Sequence, residues 1–217
     1  MDPATMVFTS FFALSALTAF VGRFLRDRAQ RAAWVTLVHL PGYYSVYQVW
    51  RGVSASPDYV FRMRPLGVEG LMAADAFSSF MALVAVFGSH MLMTYAAMSI
   101  EDADSFARFA AAGLAGTGAV ILTFYSVNLL ALTILWEAAV AAEVGIILLG
   151  RGEGVVEAAV KVSAMAMFSS LLMVTGLGLL FAALEKVGVT LNTFTIPWVA
   201  SHIPLTYRGA EMVILIA

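Results

Sequence analysis

Six long apolar runs leave this chain little choice of architecture. They cover residues of about 5–22, 32–50, 76–98, 106–126, 128–149 and 157–184. At about 1.5 Å of rise per helical residue, each reaches across most or all of the roughly 30 Å hydrocarbon core of a bilayer. Hydrocarbon offers no water to backbone N–H and C=O groups, so such runs persist there only as helices that satisfy themselves. Only 12% of the residues are charged, against roughly 25% in soluble domains, and 61% are hydrophobic. The expected fold is therefore all-α. One polytopic membrane domain should occupy residues 1–217, with about six transmembrane helices and the apolar start of a seventh at 210–217.

Charge and cysteine usage remove several function classes. The net charge of −2 is small, and the basic residues lie in loops rather than in a stripe, which argues against nucleic-acid partners. With no cysteine there is no disulfide, thiol chemistry or cysteine-held iron-sulfur cluster, and a redox cofactor would depend on histidine. No positive charge precedes the first run, and Arg23, Arg26, Arg28 and Arg31 follow it, the order of a retained helix rather than a cleaved signal peptide. By the positive-inside rule these arginines place loop 23–31 in the cytoplasm, with loops 99–105 and 150–156. The chain is then a multi-pass protein of the cell membrane with its N-terminus outside. Arg51, Arg62, Arg64, Lys186 and Arg208 on outer segments count against this, but the first, arginine-dense loop usually dominates.

Details along the chain sharpen this picture. The second run holds His39 and Pro41, the latter expected to kink it, and ends in Tyr43, Tyr44, Tyr47 and Trp50, residues suited to a membrane interface. Pro57, Pro65 and several glycines make residues 51–75 read as irregular surface structure, with Asp75 capping the next helix. In the fourth run, Ala112/Gly116 and Gly113/Thr117 put small residues at four-residue spacing, which lets helices approach closely. Residues 188–208 are too polar and broken to cross a membrane.

Away from the ends of the runs stand the candidate ionisable side chains His39, His90, Glu137, Glu143 and Lys161. By depth, four share the inner leaflet and Glu137 lies near the midplane. A charge at that depth costs about 2.5–3.5 kcal/mol on insertion scales, so such residues face a bundle interior, pair, or mark an ion pathway. The plainer reading of Glu137 is a protonated acid held for packing. Glu143 stands six positions further on, which places it on a different face of the same helix. Its expected partner is Lys161 on the next helix, as a structural ion pair or as part of a proton path. His39 and His90 lie at similar depth on neighbouring helices, which permits bis-histidine haem ligation as an electron-carrying alternative. Two histidines alone are a weak signal, and the twelve methionines read as packing rather than as a copper site, so no cofactor is expected.

Four blocks carry a family resemblance. They are ADAFSSFMALVAVFGSHML at 74–92, NLLALTILWEAAVAAEVGIILLG at 128–150, EAAVKVSAMAMFSSLLMVTGLGLLF at 157–181 and VTLNTF at 189–194. In order and spacing they resemble the antiporter-like subunits shared by Mrp-type cation/proton antiporters, respiratory complex I and energy-converting membrane-bound hydrogenases, and are most similar to the Mrp D type. The resemblance implies that Glu137 is the family's acid on the fifth helix and Lys161 the lysine that opens the sixth. It also implies a partner lysine for Glu137 on a broken seventh helix. The sequence ends at Ala217, before that lysine, and contains no second inverted repeat. The chain is thus expected to be the N-terminal half of such a subunit, with another membrane polypeptide supplying the seventh and later helices. Two functions follow as expectations: translocation of protons or sodium ions through Glu137 within a larger complex, without bond chemistry of its own, or a structural membrane subunit without an ion path.

Overall fold

The computed structural model describes residues 2–150, 152–185, 190 and 193–202. Its order is α1 (Pro3–Val21), α2 (Arg28–Ala55), β1 (Phe61–Met63), β2 (Met72–Ala74), α3 (Ala76–Ser99), α4 (Ala103–Tyr125), α5 (Leu129–Leu148), α6 (Val155–Glu185) and a short α7 (Ile196–His202). Five helices among the described residues are long and apolar enough to cross a membrane: α1 with its 3-10 extension, α3, α4, α5 and α6. The fold is a bundle of apolar helices, as the hydropathy requires. α2 is long too, but Arg28, Gln30, Arg31, Gln48 and Arg51 make it more polar than the others. The terminal run 210–217, with Lys186 and Arg208, lies outside the described residues.

Short polar side chains set the helix starts. The first backbone N–H groups of a helix have no intrahelical acceptor, and an Asp or Asn just before them supplies one. Asp2 Oδ1 accepts from Ala4 N at 3.0 Å, Asp102 Oδ2 from Ser105 N at 2.8 Å, and Asn128 Oδ1 from Leu130 N at 3.0 Å. Asp75 caps α3 as expected and makes a reciprocal box with Ser78: Asp75 Oδ1 accepts from Ser78 N at 2.7 Å, and Asp75 N donates to Ser78 Oγ at 2.8 Å.

α4 is the central helix, packed against α1, α3 and α5. Its small residues are what make this possible. A Cβ on Gly113 would fall 2.6 Å from Met93 of α3, one on Gly116 3.1 Å from Ala142 of α5, and one on Gly118 2.6 Å from Phe11 of α1. α2 closes the group by packing on α1 and α3, whereas α6 is attached through α5. α2 continues as one helix through Pro41 to Ala55.

The turns gather at two opposite ends. At one, Arg31 reaches from α2 to the α3–α4 turn and Arg23 pairs with Asp104 at 3.1 Å. The other end corrects the expectation of irregular structure over 51–75, since β1 and β2 pair there antiparallel, Phe61 opposite Ala74 and Met63 opposite Met72. Gly67 and Gly70 take the connection through φ of 82° and 75°, a region that favours glycine. The strands are three residues each, too short to show alternation in sequence. Leu71 O accepts from Val127 N at 3.0 Å, and Leu129 N donates to Phe194 O at 3.0 Å, so the hairpin and the segment after α6 both hold the start of α5.

Candidate functional site

Glu137 is half-buried on α5 and faces α6. Its Oε1 accepts a hydrogen bond from Ser170 Oγ, a hydroxyl that also lies 2.9 Å from Ala166 O of its own helix. One hydroxyl proton serves only one of these acceptors at a time. When Glu137 is ionised, Ser170 donates to the carboxylate. When Glu137 is protonated, its own O–H donates to Ser170 Oγ, and the serine proton turns to Ala166 O. The contact between Oε1 and Ser170 is thus hydrogen-bonded in both protonation states with no movement of the helices. Among the described residues no cation lies within ion-pair distance of Glu137.

Glu143 turns to a different face of α5, as the six-residue spacing requires. It lines a cleft of about 440 Å³ between α3, α4 and α5, together with Ser89, Thr117 and Trp136. The expected Glu143–Lys161 pair does not form. Lys161 Nζ lies 2.6 Å from Glu157 Oε1 one turn earlier on α6, and both side chains are 69% exposed. An i,i+4 pair of Glu before Lys forms within one helix at little entropic cost, so it wins over a reach between helices, and it contributes only a few tenths of a kcal/mol. Glu137, Glu143 and Lys161 therefore occupy three separate environments.

The histidines do come together, though not as haem ligands. His39 is fully buried and stacks on His90 with ring centroids 5.0 Å apart and planes 17° from parallel. Every ring nitrogen has a partner. His39 Nδ1 lies 2.7 Å from Val35 O and Nε2 3.1 Å from Ser89 Oγ, while His90 Nδ1 lies 3.2 Å from Tyr43 Oη and Nε2 3.3 Å from Thr36 Oγ1. Axial haem ligands aim a nitrogen at the iron from opposite faces of a macrocycle. Rings stacked this closely leave no place for a macrocycle between them, so the bis-histidine alternative does not fit the pair. Among the described residues no group of three or more His, Cys, Asp or Glu side chains could hold a metal ion.

Three hydroxyl groups escaped the sequence reading as hydrogen-bond partners. Ser170, Ser89 and Thr117 each sit in an apolar helix, where a hydroxyl can bond its own i−4 carbonyl and so leaves no trace in the hydropathy pattern. Arg31 was read as one more loop charge, yet it is 2% exposed. Its Nε donates to Leu25 O at 2.7 Å, Nη1 to Ile100 O at 2.6 Å and Nη2 to Glu101 O at 3.0 Å, and its guanidinium lies over the Phe106 ring at 5.4 Å. The fork of donors on guanidinium suits several carbonyls at once. It ties the α1–α2 turn to the α3–α4 turn without any carboxylate. Comparison of the chain with protein-family models and with curated proteins finds no match in either.

Proposed function

We propose that this protein is a proton- or cation-translocating subunit of a multisubunit membrane complex, of the antiporter-like kind that its fifth and sixth apolar runs resemble. The observation that carries the reading is the Glu137–Ser170 contact between α5 and α6. A carboxyl group works as a relay only if it can gain and lose a proton without leaving a buried group unsatisfied. The Ser170 hydroxyl, with Ala166 O as its second acceptor, supports both states. A cation brought near Glu137 by a neighbouring subunit would favour the ionised state and its departure the protonated one, which turns approach and withdrawal into proton release and uptake. In this reading α2 is the sixth span, the end with Arg23, Arg26 and Arg28 faces the cytoplasm, and the N-terminus lies outside the cell membrane.

Glutamine keeps the shape of Glu137 and cannot ionise. Glu137→Gln should leave assembly intact and abolish or strongly reduce ion transport, measured with a pH-sensitive dye in vesicles holding the whole complex, while Glu143→Gln has a smaller effect. A second reading, a structural subunit without its own ion path, is favoured by the engagement of Lys161 with Glu157 on the surface rather than with an acid in the bundle. Normal assembly and undiminished transport in Glu137→Gln would establish that second reading.

A further inference from the structure

We propose that His39, Ser89 and Thr117 form a second proton-loading branch, which runs from the Glu143-lined cleft to the buried His39 imidazole and is separate from Glu137. It deepens the ion-translocating reading and rests on it for its purpose, though not for its test. The branch crosses three helices: His39 Nε2 on α2 lies 3.1 Å from Ser89 Oγ on α3, which lies 2.7 Å from Thr117 Oγ1 on α4. Ser89 and Thr117 line the cleft with Glu143, whereas His39 is fully buried.

Proton counting along this chain permits two complete arrangements. With His39 neutral, Nδ1–H donates to Val35 O, Nε2 accepts from the Ser89 hydroxyl, and Ser89 Oγ accepts from Thr117. With His39 protonated, Nε2–H donates to Ser89 Oγ, Ser89 donates to Thr117 Oγ1, and Thr117 turns its proton to Gly113 O, 2.7 Å away. The short distance to Val35 O keeps a proton on Nδ1 in both, so only Nε2 changes. Each arrangement satisfies every group, and the heavy atoms need not move.

The step between them balances. An acid in the cleft, hydronium or one held on Glu143, gives a proton to Thr117 Oγ1. The proton Thr117 held passes to Ser89 Oγ, and the proton Ser89 held passes to His39 Nε2. One O–H or N–H bond forms for each that breaks, the donor loses one positive charge, and the imidazole gains it. The cleft of about 440 Å³ has room for water at its polar lining. Around His39 the titratable groups are His90 stacked on it from α3, Tyr43 on its own helix, and Glu143 across the cleft on α5. A positive charge on one of these rings is opposed by a positive charge on the other, 5.0 Å away.

The test reads proton exchange on this chain alone. Full-length protein with 15N-labelled histidine is placed in phosphatidylcholine vesicles, and the His39 resonances are assigned by their loss in His39→Gln. The expected ground state is Nδ1–H, with Nε2 gaining a proton on acidification. Thr117→Val and Ser89→Ala should each slow exchange at Nε2 by about tenfold or more, the size expected when a hydrogen-bonded step is lost, and Thr117→Ser should restore the rate. The unshifted His90 resonances report that the variants are folded. Unchanged exchange in both variants overturns the branch, as does a His39 that stays neutral to the acid limit of folding. Because this test measures no transport, the two proposals fail separately: loss of transport in Glu137→Gln with normal exchange in both Thr117→Val and Ser89→Ala sinks the branch and keeps the proposed function.

Discussion

The α1–α4 group and the α5–α6 pair solve the same packing problem in opposite ways. In the membrane-spanning window of α4, 56% of residues are buried inside the protein, against 6% for α5 and for α6. Helices of similar hydropathy thus differ in how much of their surface protein covers. Where lipid is as apolar as leucine, burial gives helices little reason to associate, and close approach through small residues takes its place. α4 has Gly113, Gly116 and Gly118 pressed on three neighbours, whereas α6 presents Met165, Met167 and Phe168 outward at 73%, 72% and 64% exposure. The polar groups follow the same division. His39 is held on both sides by the α1–α4 group, while Glu137 rests on a single serine across the looser α5–α6 contact. A rigid site suits reversible storage of a proton, and a lightly held one suits exchange of partners.

Removing what makes the first group rigid should have the largest effect on stability. Arg31→Ala leaves the carbonyls of Leu25, Ile100 and Glu101 without their charged donor, so a loss of about 3–5 kcal/mol is expected, read as a lowered midpoint of unfolding in detergent. Arg31→Lys should recover only part of it, because an ammonium lacks the planar fork. An unchanged midpoint in Arg31→Ala would show that the two turns hold together without the clamp. Next in size is a pair of matched substitutions. Gly118→Val drives a Cβ to 2.6 Å from Phe11 Cβ and should cost about 1–3 kcal/mol, whereas a Cβ on Gly178 of α6 meets nothing within 4 Å and Gly178→Val should stay within about 0.5 kcal/mol. Equal effects would erase the contrast between the regions. A Gly178→Val variant that is stable alone but fails to join its complex would sharpen it, by marking α6 as the face a partner covers.

The smallest effect belongs to the cap on α3. Backbone donation from Ser78 holds the Asp75 carboxyl below the usual carboxylate range, against a smaller opposing effect of desolvation. A lowered folded value means that the ionised cap stabilises above the unfolded pKa of about 3.9, and that this contribution is lost as pH falls through the folded value. Asp75→Ala should cost about 1 kcal/mol near neutral pH, and Asp75→Asn should keep most of the cap while flattening the acid limb of the stability profile. A steep acid limb retained in Asp75→Asn would assign it to another group.

Much of the architecture was legible in the sequence because the bilayer imposes one rule on every residue. Apolar length alone located the long helices, Asp75 announced its cap, and the spacing of Gly113, Gly116 and Thr117 announced close approach at α4. Glu137 and Glu143 fell on different faces as helical geometry dictates. The three-residue strands were silent, since a period of two needs more than three positions to appear.

What only the tertiary structure decided is which polar groups meet. Sequence determined that His39, His90, Glu137, Glu143 and Lys161 would lie within long, largely apolar runs, because composition is read directly from the chain. It did not determine their rotation about each helix axis relative to neighbours, which follows from how the glycines of α4 seat against α1, α3 and α5. The packing of the helices stacks His39 on His90, turns Glu143 to the cleft and aims Glu137 at Ser170, while Lys161 pairs locally with Glu157 one turn away. Hydrogen bonds work over about 3 Å, and a rotation of one helix by a single residue displaces a side chain further than that. Partner choice is therefore a property of the packed bundle, while the inventory of groups is a property of the chain.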